Sequence, residues 1–361
     1  MKMQEYVPLA PLTTLGVGGT ARFFALAQSV EEVREVLDFA RSRALPLFVL
    51  GGGSNIVIAD DGFAGVVLAV RLQGIESEVR GSQVLVTVGS GVGWDDFVVW
   101  SIEQKLAGLE CLSGVPGTVG GAVVANLGAY GAQCSDTFLQ AEVIDTHDVR
   151  NEIQIVKREQ CDFSYHDSMF GKKSGRYVIL RSTFALSTDP AAQPSYRDNR
   201  FNMEALKAEL GRAPTQQEVR ESVLMMREQK GSLIMKDRVS YKSAGSFFHM
   251  PFVSGEDYAR ITARARALDA VKEERLRPWA WKQANGSYKV APGFLLEYTE
   301  FQKGYVHAGA GISPRHTLSI INVADARAAD IAALARDMQR AVEETFGISL
   351  EHEVEYIGDI H

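Results

Sequence analysis

An α+β protein of more than one domain is the expected fold, and three observations lead to it. The chain has 361 residues, which at about 150 residues per domain gives roughly two to three domains. Segments with apolar residues at helical spacing alternate with short β-branched runs, a mixture of helix and strand. The first glycine cluster, Gly51-Gly-Gly-Ser-Asn55, joins one strand-like run to another, whereas a dinucleotide fold would lead from that loop into a helix. Apolar residues make up 46% of the chain and charged residues 23%, a balance that buries a core and excludes wholesale disorder.

Taken in order, residues 30–42 place Val33, Val36, Leu37 and Ala40 on one helical face, and Pro46–Leu50 follows as a buried strand. Ile56-Val57-Ile58 and Val66–Val70 are strand-like, as is 83–88, and Trp94 to Gln104 is an amphipathic helix opened by Asp95 and Asp96. A second αβ domain is expected to begin near residue 72. Residues 187–198 carry Pro190 and Pro194 without periodicity and mark a long loop or boundary. Thr215 and Glu218 form a capping box, after which Val219, Val223 and Met226 continue an apolar face to a stop near Lys230-Gly231. Ile331, Leu334, Met338, Val342 and Phe346 line a final long helix ended by Gly347, and 348–358 reads as a closing strand.

Charge and cysteine usage narrow the function. Lys and Arg number 38 against 45 Asp and Glu, a net charge of −7, so neither a nucleic-acid backbone nor an anionic membrane is the expected partner. An anionic small molecule remains open, because local basic residues can hold it. Cys111, Cys134 and Cys161 are odd in number and fit neither a CxxC metal site nor a disulfide framework; reduced structural thiols are expected, with no metal. Glu5, Pro8 and Pro11 interrupt what a signal peptide would need as an apolar run, and no later stretch approaches about 18 apolar residues. A cytoplasmic, soluble protein follows as the expectation.

Familiar nucleotide and metal motifs fail. After Gly51 and Gly53 the sixth position is Ile56; Gly89, Gly91 and Gly93 are followed by Trp94 where a last glycine belongs; no G-x4-G-K-[ST] occurs; and His352-Glu353 is not completed to HExxH. What remains is Ser113 to Gly131, with six glycines in 19 residues. Such a run leaves backbone N–H groups uncovered and able to approach a diphosphate. Glycine-rich loops are often plain turns, but two of them beside strands point to a large phosphate-containing cofactor, a flavin without Rossmann topology being the sharpest choice.

LGGGSN at 50–55, SGVPGTVGGAVVANLGAYG at 113–131, SYHDSMF at 164–170, SAGSFF at 243–248 and LEHEVEYIG at 350–358 occur in this order. Together with TTLGVGGTARFF at 13–24, they resemble the UDP-N-acetylenolpyruvoylglucosamine reductase (MurB) family over nearly the whole chain. The resemblance implies a two-subdomain, non-covalent FAD-binding module of the vanillyl-alcohol oxidase (PCMH) type plus an α/β substrate-binding domain. The corresponding divisions are 1–71 and 72–226 for FAD, 227–347 for substrate, and 348–361 as a strand returning to the active site. It implies a monomeric enzyme in which NADPH reduces FAD and the reduced flavin reduces UDP-N-acetylglucosamine enolpyruvate to UDP-N-acetylmuramate. Another vanillyl-alcohol-oxidase-type oxidoreductase, or a catalytically impaired UDP-sugar-binding homologue, is the alternative.

Carried onto this sequence, the resemblance makes Ser246 the proton donor and Glu353 the catalytic glutamate; without it, Ser246 is a serine in a small-residue turn and Glu353 one of three carboxylates on a strand face. Cofactor contacts fall to Gly51, Gly52, Gly53, Ser54, Asn55, Gly114, Val115, Pro116, Gly117, Gly120, Gly121, Asn126, Gly128, Tyr130 and Arg227. Substrate contacts fall to Tyr165, Tyr196, Lys230 and His316, although Lys230 also suits a helix C-terminus without any ligand and His316 equally reads as a strand-end histidine. The family motif carries arginine after the tyrosine where this chain has His166. Arginine is a permanent carboxylate clamp, whereas histidine is charged only below about pH 6.5 unless neighbours intervene. His166 therefore takes the catalytic clamp role when protonated, or is a surface histidine whose part passes to Arg181 or Arg315. His249-Met250 also departs from a family pattern that often has asparagine before the proline.

Overall fold

The computed structural model describes residues 2–189, 203–235, 238–239 and 241–360. Tyr196 and most of the 187–198 loop lie outside them.

The first sheet has the order Gln4–Pro8, Thr20–Ala27, Phe63–Val70, Leu47–Leu50. Its first pairing is antiparallel and the other two are parallel. The helix Val30–Ser42 covers one face: Ser29 caps it by accepting from the Glu32 N–H, and Val33, Val36, Leu37 and Ala40 are its buried residues, as the spacing predicts. That face is shared with the second sheet, since Val66, Leu68 and Val70 pack in one core with Ile144, Val178 and Leu180.

The second sheet is antiparallel throughout, in the order Ile153–Lys157, Phe138–Asp145, Tyr177–Ser187, Gln83–Gly89, Ile75–Arg80. Its other face packs on the helix Trp94–Glu103 around Trp94, Phe97, Phe138 and Phe184, whose rings meet at 5.2–6.2 Å, the spacing of tilted aromatic pairs. The helix Gln216–Gln229 opens with the expected capping box of Thr215 and Glu218 and sends Val219 and Val223 into this same core. The expected 226/227 division falls within this helix.

The C-terminal part holds two three-stranded sheets and the helices Gly255–Leu268 and Ala328–Phe346. Ile331, Leu334, Met338, Val342 and Phe346 are buried along the latter, each contributing about 1.5–3 kcal/mol of apolar burial. Gly347 ends it at φ 66°, a left-handed conformation that favours glycine. The closing strand is shorter than its alternation suggests: only Glu355–Ile357 pairs, in parallel with Ile56–Ile58. Upstream of it the backbone leans on a turn, with a single bridge between Phe248 and His352.

Cys111, Cys134 and Cys161 are free and buried. Burial pushes the Cys111 and Cys161 thiols up to about 12, so they stay protonated and inert at neutral pH. Among the described residues no helix is long and apolar enough to cross a membrane.

Candidate active site

Both glycine-rich loops end at one cavity of about 420 Å3. They touch through backbone: a Cβ on Gly52 would overlap the Gly117 backbone, and one on Gly53, at φ 63°, would overlap the Leu12 carbonyl. Only glycine permits that approach. Ser54 Oγ donates to the Pro116 carbonyl at 3.2 Å, and Thr118 caps the short helix Val119–Val124 by accepting from the Gly121 N–H. The Gly89, Gly91 and Gly93 cluster is a packing device instead, since side chains there would strike Leu72, Arg71 and Asp96.

The turn Ser243 to Phe248 enters from the C-terminal part. Thr14 ties it to the first glycine loop, its N–H donating to the Gly53 carbonyl at 2.9 Å and its Oγ1 to the Ser243 carbonyl at 2.6 Å. Space beside Gly245, at φ 78°, is open, and Ser246 lines the cavity. The Phe247 carbonyl accepts from the Glu353 N–H at 2.9 Å, and Asn55 Nδ2 donates to the Glu353 carbonyl at 3.0 Å. Ser246, Glu353 and the first glycine loop are thus laced together through backbone.

His166 stands in a tight turn between Ser164 and Asp167, itself at φ 52°. Its Nδ1 lies 3.4 Å from Glu353 Oε1. Neither Arg181, paired with Glu76 at 2.6 Å, nor Arg315, donating to the Glu228 carbonyl at 2.8 Å, lines the cavity; of the three, His166 is the one that faces Glu353. His249 faces the same carboxylate from the other side, Nδ1 to Oε2 at 4.0 Å. Burial lowers its pKa, against the nearby Glu351 and Asp167 carboxylates, which raise it.

Tyr165, Lys230, His316, Tyr130, Val115, Gly120 and Gly128 also line the cavity. Lys289 Nζ sits 3.4 Å from the centre of the Tyr165 ring and Lys230 Nζ 5.3 Å from that of Tyr130, cation–π distances. Arg227 reaches the wall too, Nη2 donating to the Ser232 carbonyl at 2.9 Å, with burial lowering its pKa. Two expected contacts stand behind the wall. Gly114 gives its N–H to Asp95 Oδ1 at 2.6 Å. Asn126, 1% exposed, accepts from the Ser135 N–H at 3.0 Å and donates to the Ser164 carbonyl at 2.7 Å, positioning the His166 turn. Sequence reading passed over Ser90, Ser174 and Glu355, which line the cavity; Ser174 Oγ donates to Glu355 Oε1 at 2.7 Å, a pairing across 181 residues that no local pattern encodes.

The residues present fit a flavin dinucleotide. The glycine cradle is closed to side chains, and two buried polar atoms at the wall, Ser90 Oγ and Arg227 Nε, have no hydrogen-bond partner, the signature of a site completed by a polar guest.

Comparison with known proteins places this site in a class. The FAD binding domain family matches residues 21–148, and the UDP-N-acetylenolpyruvoylglucosamine reductase C-terminal domain matches 237–357. The fold and cavity thus belong to an FAD-dependent oxidoreductase, an FAD-binding domain followed by a reductase C-terminal domain. The chain is 37% identical over 358 residues to the UDP-N-acetylenolpyruvoylglucosamine reductase of Thermobifida fusca, covering 98% of this chain and 97% of that one. To the Pseudomonas aeruginosa protein of the same name it is 35% identical over 360 residues, covering 98% of each. The crystal structure of the Thermus caldophilus reductase superposes with a TM-score of 0.65 at 25% identity, covering 99% of this chain and 100% of that one. The chain belongs to the UDP-N-acetylenolpyruvoylglucosamine reductase family.

Proposed function

We propose that the protein reduces UDP-N-acetylglucosamine enolpyruvate to UDP-N-acetylmuramate with NADPH as reductant, as a cytoplasmic monomer. The observation that supports this reading is the meeting of Ser246, His166 and Glu353 with both glycine loops at one cavity. FAD held there and reduced by NADPH would supply the hydride for C3 of the enol ether. The residues of the chain do the rest. Ser246 gives its hydroxyl proton to C2, where negative charge delocalised into the substrate carboxylate would otherwise have to wait for water. Glu353 and His166 hold that carboxyl end, the imidazolium offsetting charge that grows as the carboxylate takes on enolate character. Lys230, Tyr165 and His316 hold the UDP-sugar, with Tyr196 as a further contact from outside the described residues. Gly51, Gly52, Gly53, Ser54, Asn55, Val115, Pro116, Gly117, Gly120, Gly121, Gly128, Tyr130 and Arg227 hold the dinucleotide. Residues 1–71, 72–226, 227–347 and 348–361 form its functional parts.

The test is anaerobic. Reduction by NADPH bleaches the flavin absorbance, and addition of the enolpyruvyl substrate is expected to restore it with formation of UDP-N-acetylmuramate. A protein that is reduced but ignores this substrate would contradict the reading and favour another flavin oxidoreductase or a binding-only homologue. With His166 in the clamp role, the reoxidation step falls with rising pH as the imidazolium is lost, and His166→Arg removes that fall. An identical pH profile in the variant would remove His166 from the clamp.

A further inference from the structure

We propose that His249 is a positioning residue for Glu353, forming with His166 a two-sided imidazole clamp on one carboxyl group. The inference rests on the functional reading above and deepens it. Glu353 Oε1 lies 3.4 Å from His166 Nδ1 and Oε2 lies 4.0 Å from His249 Nδ1, and the two imidazole centres are 6.4 Å apart. Each oxygen therefore has its own imidazole. Backbone bonds fix the second one: the His249 N–H donates to the Glu351 carbonyl at 3.0 Å, and the Pro251 carbonyl accepts from Val290 at 3.0 Å. Phe248, immediately before it, is 1% exposed. His249 Nδ1 is buried and has no hydrogen-bond partner. A buried imidazole nitrogen without a partner is costly, and closing the 4.0 Å gap by about 1 Å would satisfy it, a tightening common when a catalytic site fills.

The chemistry differs on the two sides. Beyond Glu353, the groups facing His249 are Glu351 on its own closing segment, Asp167 and Tyr165 from the His166 turn, and Lys289 from the adjacent strand. Burial outweighs the carboxylates and favours neutral imidazole. A neutral imidazole pairs with either state of Glu353: as Nδ1–H it donates to the carboxylate, and as the other tautomer it accepts from the carboxylic acid. Glu353 can thus hold or release a proton without changing place, while His166 supplies charge at the opposite oxygen.

The test uses the FAD-loaded full chain. Wild-type enzyme is first reduced by NADPH and reoxidised by substrate; failure there overturns the functional reading, independently of the clamp. His249→Asn puts an amide N–H where Nδ1 was, whereas His249→Gln puts it where Nε2 was and His249→Phe keeps only the ring. Reoxidation is expected within about threefold of wild type for the Asn variant and slowed about 30-fold for the Gln and Phe variants, the scale of an ångström-size misplacement. Reduction by NADPH should be unchanged in all three. The Asn and Gln pair carries the comparison if the Phe variant does not fold. Imidazole titration followed by 15N NMR gives a readout apart from turnover: Glu353→Gln should lower the His249 pKa, because its anionic neighbour is gone. A Gln variant as fast as wild type, or a His249 titration unmoved by Glu353→Gln, overturns the clamp.

Discussion

Glu110 shows how one buried side chain writes itself into the pH dependence of the whole chain. It is 1% exposed, its Oε2 accepts from the Gly108 N–H at 2.8 Å, and its Oε1 has no partner. Burial raises its pKa above the ordinary carboxylate range, and backbone hydrogen bonds at Gly108, Glu110 and Leu109 pull only partly against that. The folded state therefore keeps this proton to a higher pH than the unfolded chain does, so stability falls as pH rises above about 4.3, the unfolded value. Glu110→Gln has no proton to lose. The variant is expected to gain on wild type as pH rises, the gap widening until the folded-state group ionises. Urea unfolding at pH 4.5 and pH 7 checks this, and an equal gap at both would show that burial does not shift the group. A second buried polar residue, Asn126 behind the cavity wall, teaches a related lesson about legibility. Asn126 lies inside a glycine-rich run that points to phosphate, yet its amide serves two backbone groups, because composition marks a loop without saying which atoms face inward.

Between elements, the strongest tie beside the site is Asp95 to Arg220. Arg220 Nη1 and Nη2 meet the two carboxylate oxygens at 2.6 and 2.8 Å, and the Gly114 N–H meets Oδ1 at 2.6 Å. The pair joins the helices Trp94–Glu103 and Gln216–Gln229 to the second glycine-rich loop. With Arg220 only 7% exposed, removing one partner leaves the other charged and buried, a loss of about 3–5 kcal/mol. Asp95→Asn is accordingly expected to lower the urea midpoint and, because Arg227 follows two turns later on the same helix, to weaken FAD binding as well. An unchanged midpoint would mean that the pair contributes nothing. The helix itself is legible in the sequence through its capping box and apolar face. The pairing is not, since Asp95 and Arg220 are 125 residues apart and each reads locally as an ordinary surface charge. Alternation likewise marks 348–358 as strand, but pairing needs a partner, and the partner it meets, Ile56–Ile58, is three residues long.

At the scale of the whole molecule, no single core owns the cavity. One glycine loop leaves the first sheet, the other follows the second, and Ser246 and Glu353 come from the C-terminal part. The five sequence blocks named every one of these arrivals, because close backbone approach demands glycine and small residues that stand out in a chain. His249 and Ser174 lie outside the five blocks. A cofactor bound where three parts meet must stabilise their junction and not only the part that holds most of it. At 100 times its dissociation constant, FAD adds about 2.7 kcal/mol. The junction has a direct reporter, the Glu355 N–H donating to the Asn55 carbonyl at 3.0 Å between the closing segment and the first glycine loop. Removing FAD is expected to speed hydrogen exchange at Glu355 and Glu353 while the amides of the Ala328–Phe346 helix, packed in their own core, keep their protection. Unchanged exchange at Glu355 would show instead that the parts are locked together before the cofactor arrives, and that the cavity is a rigid socket.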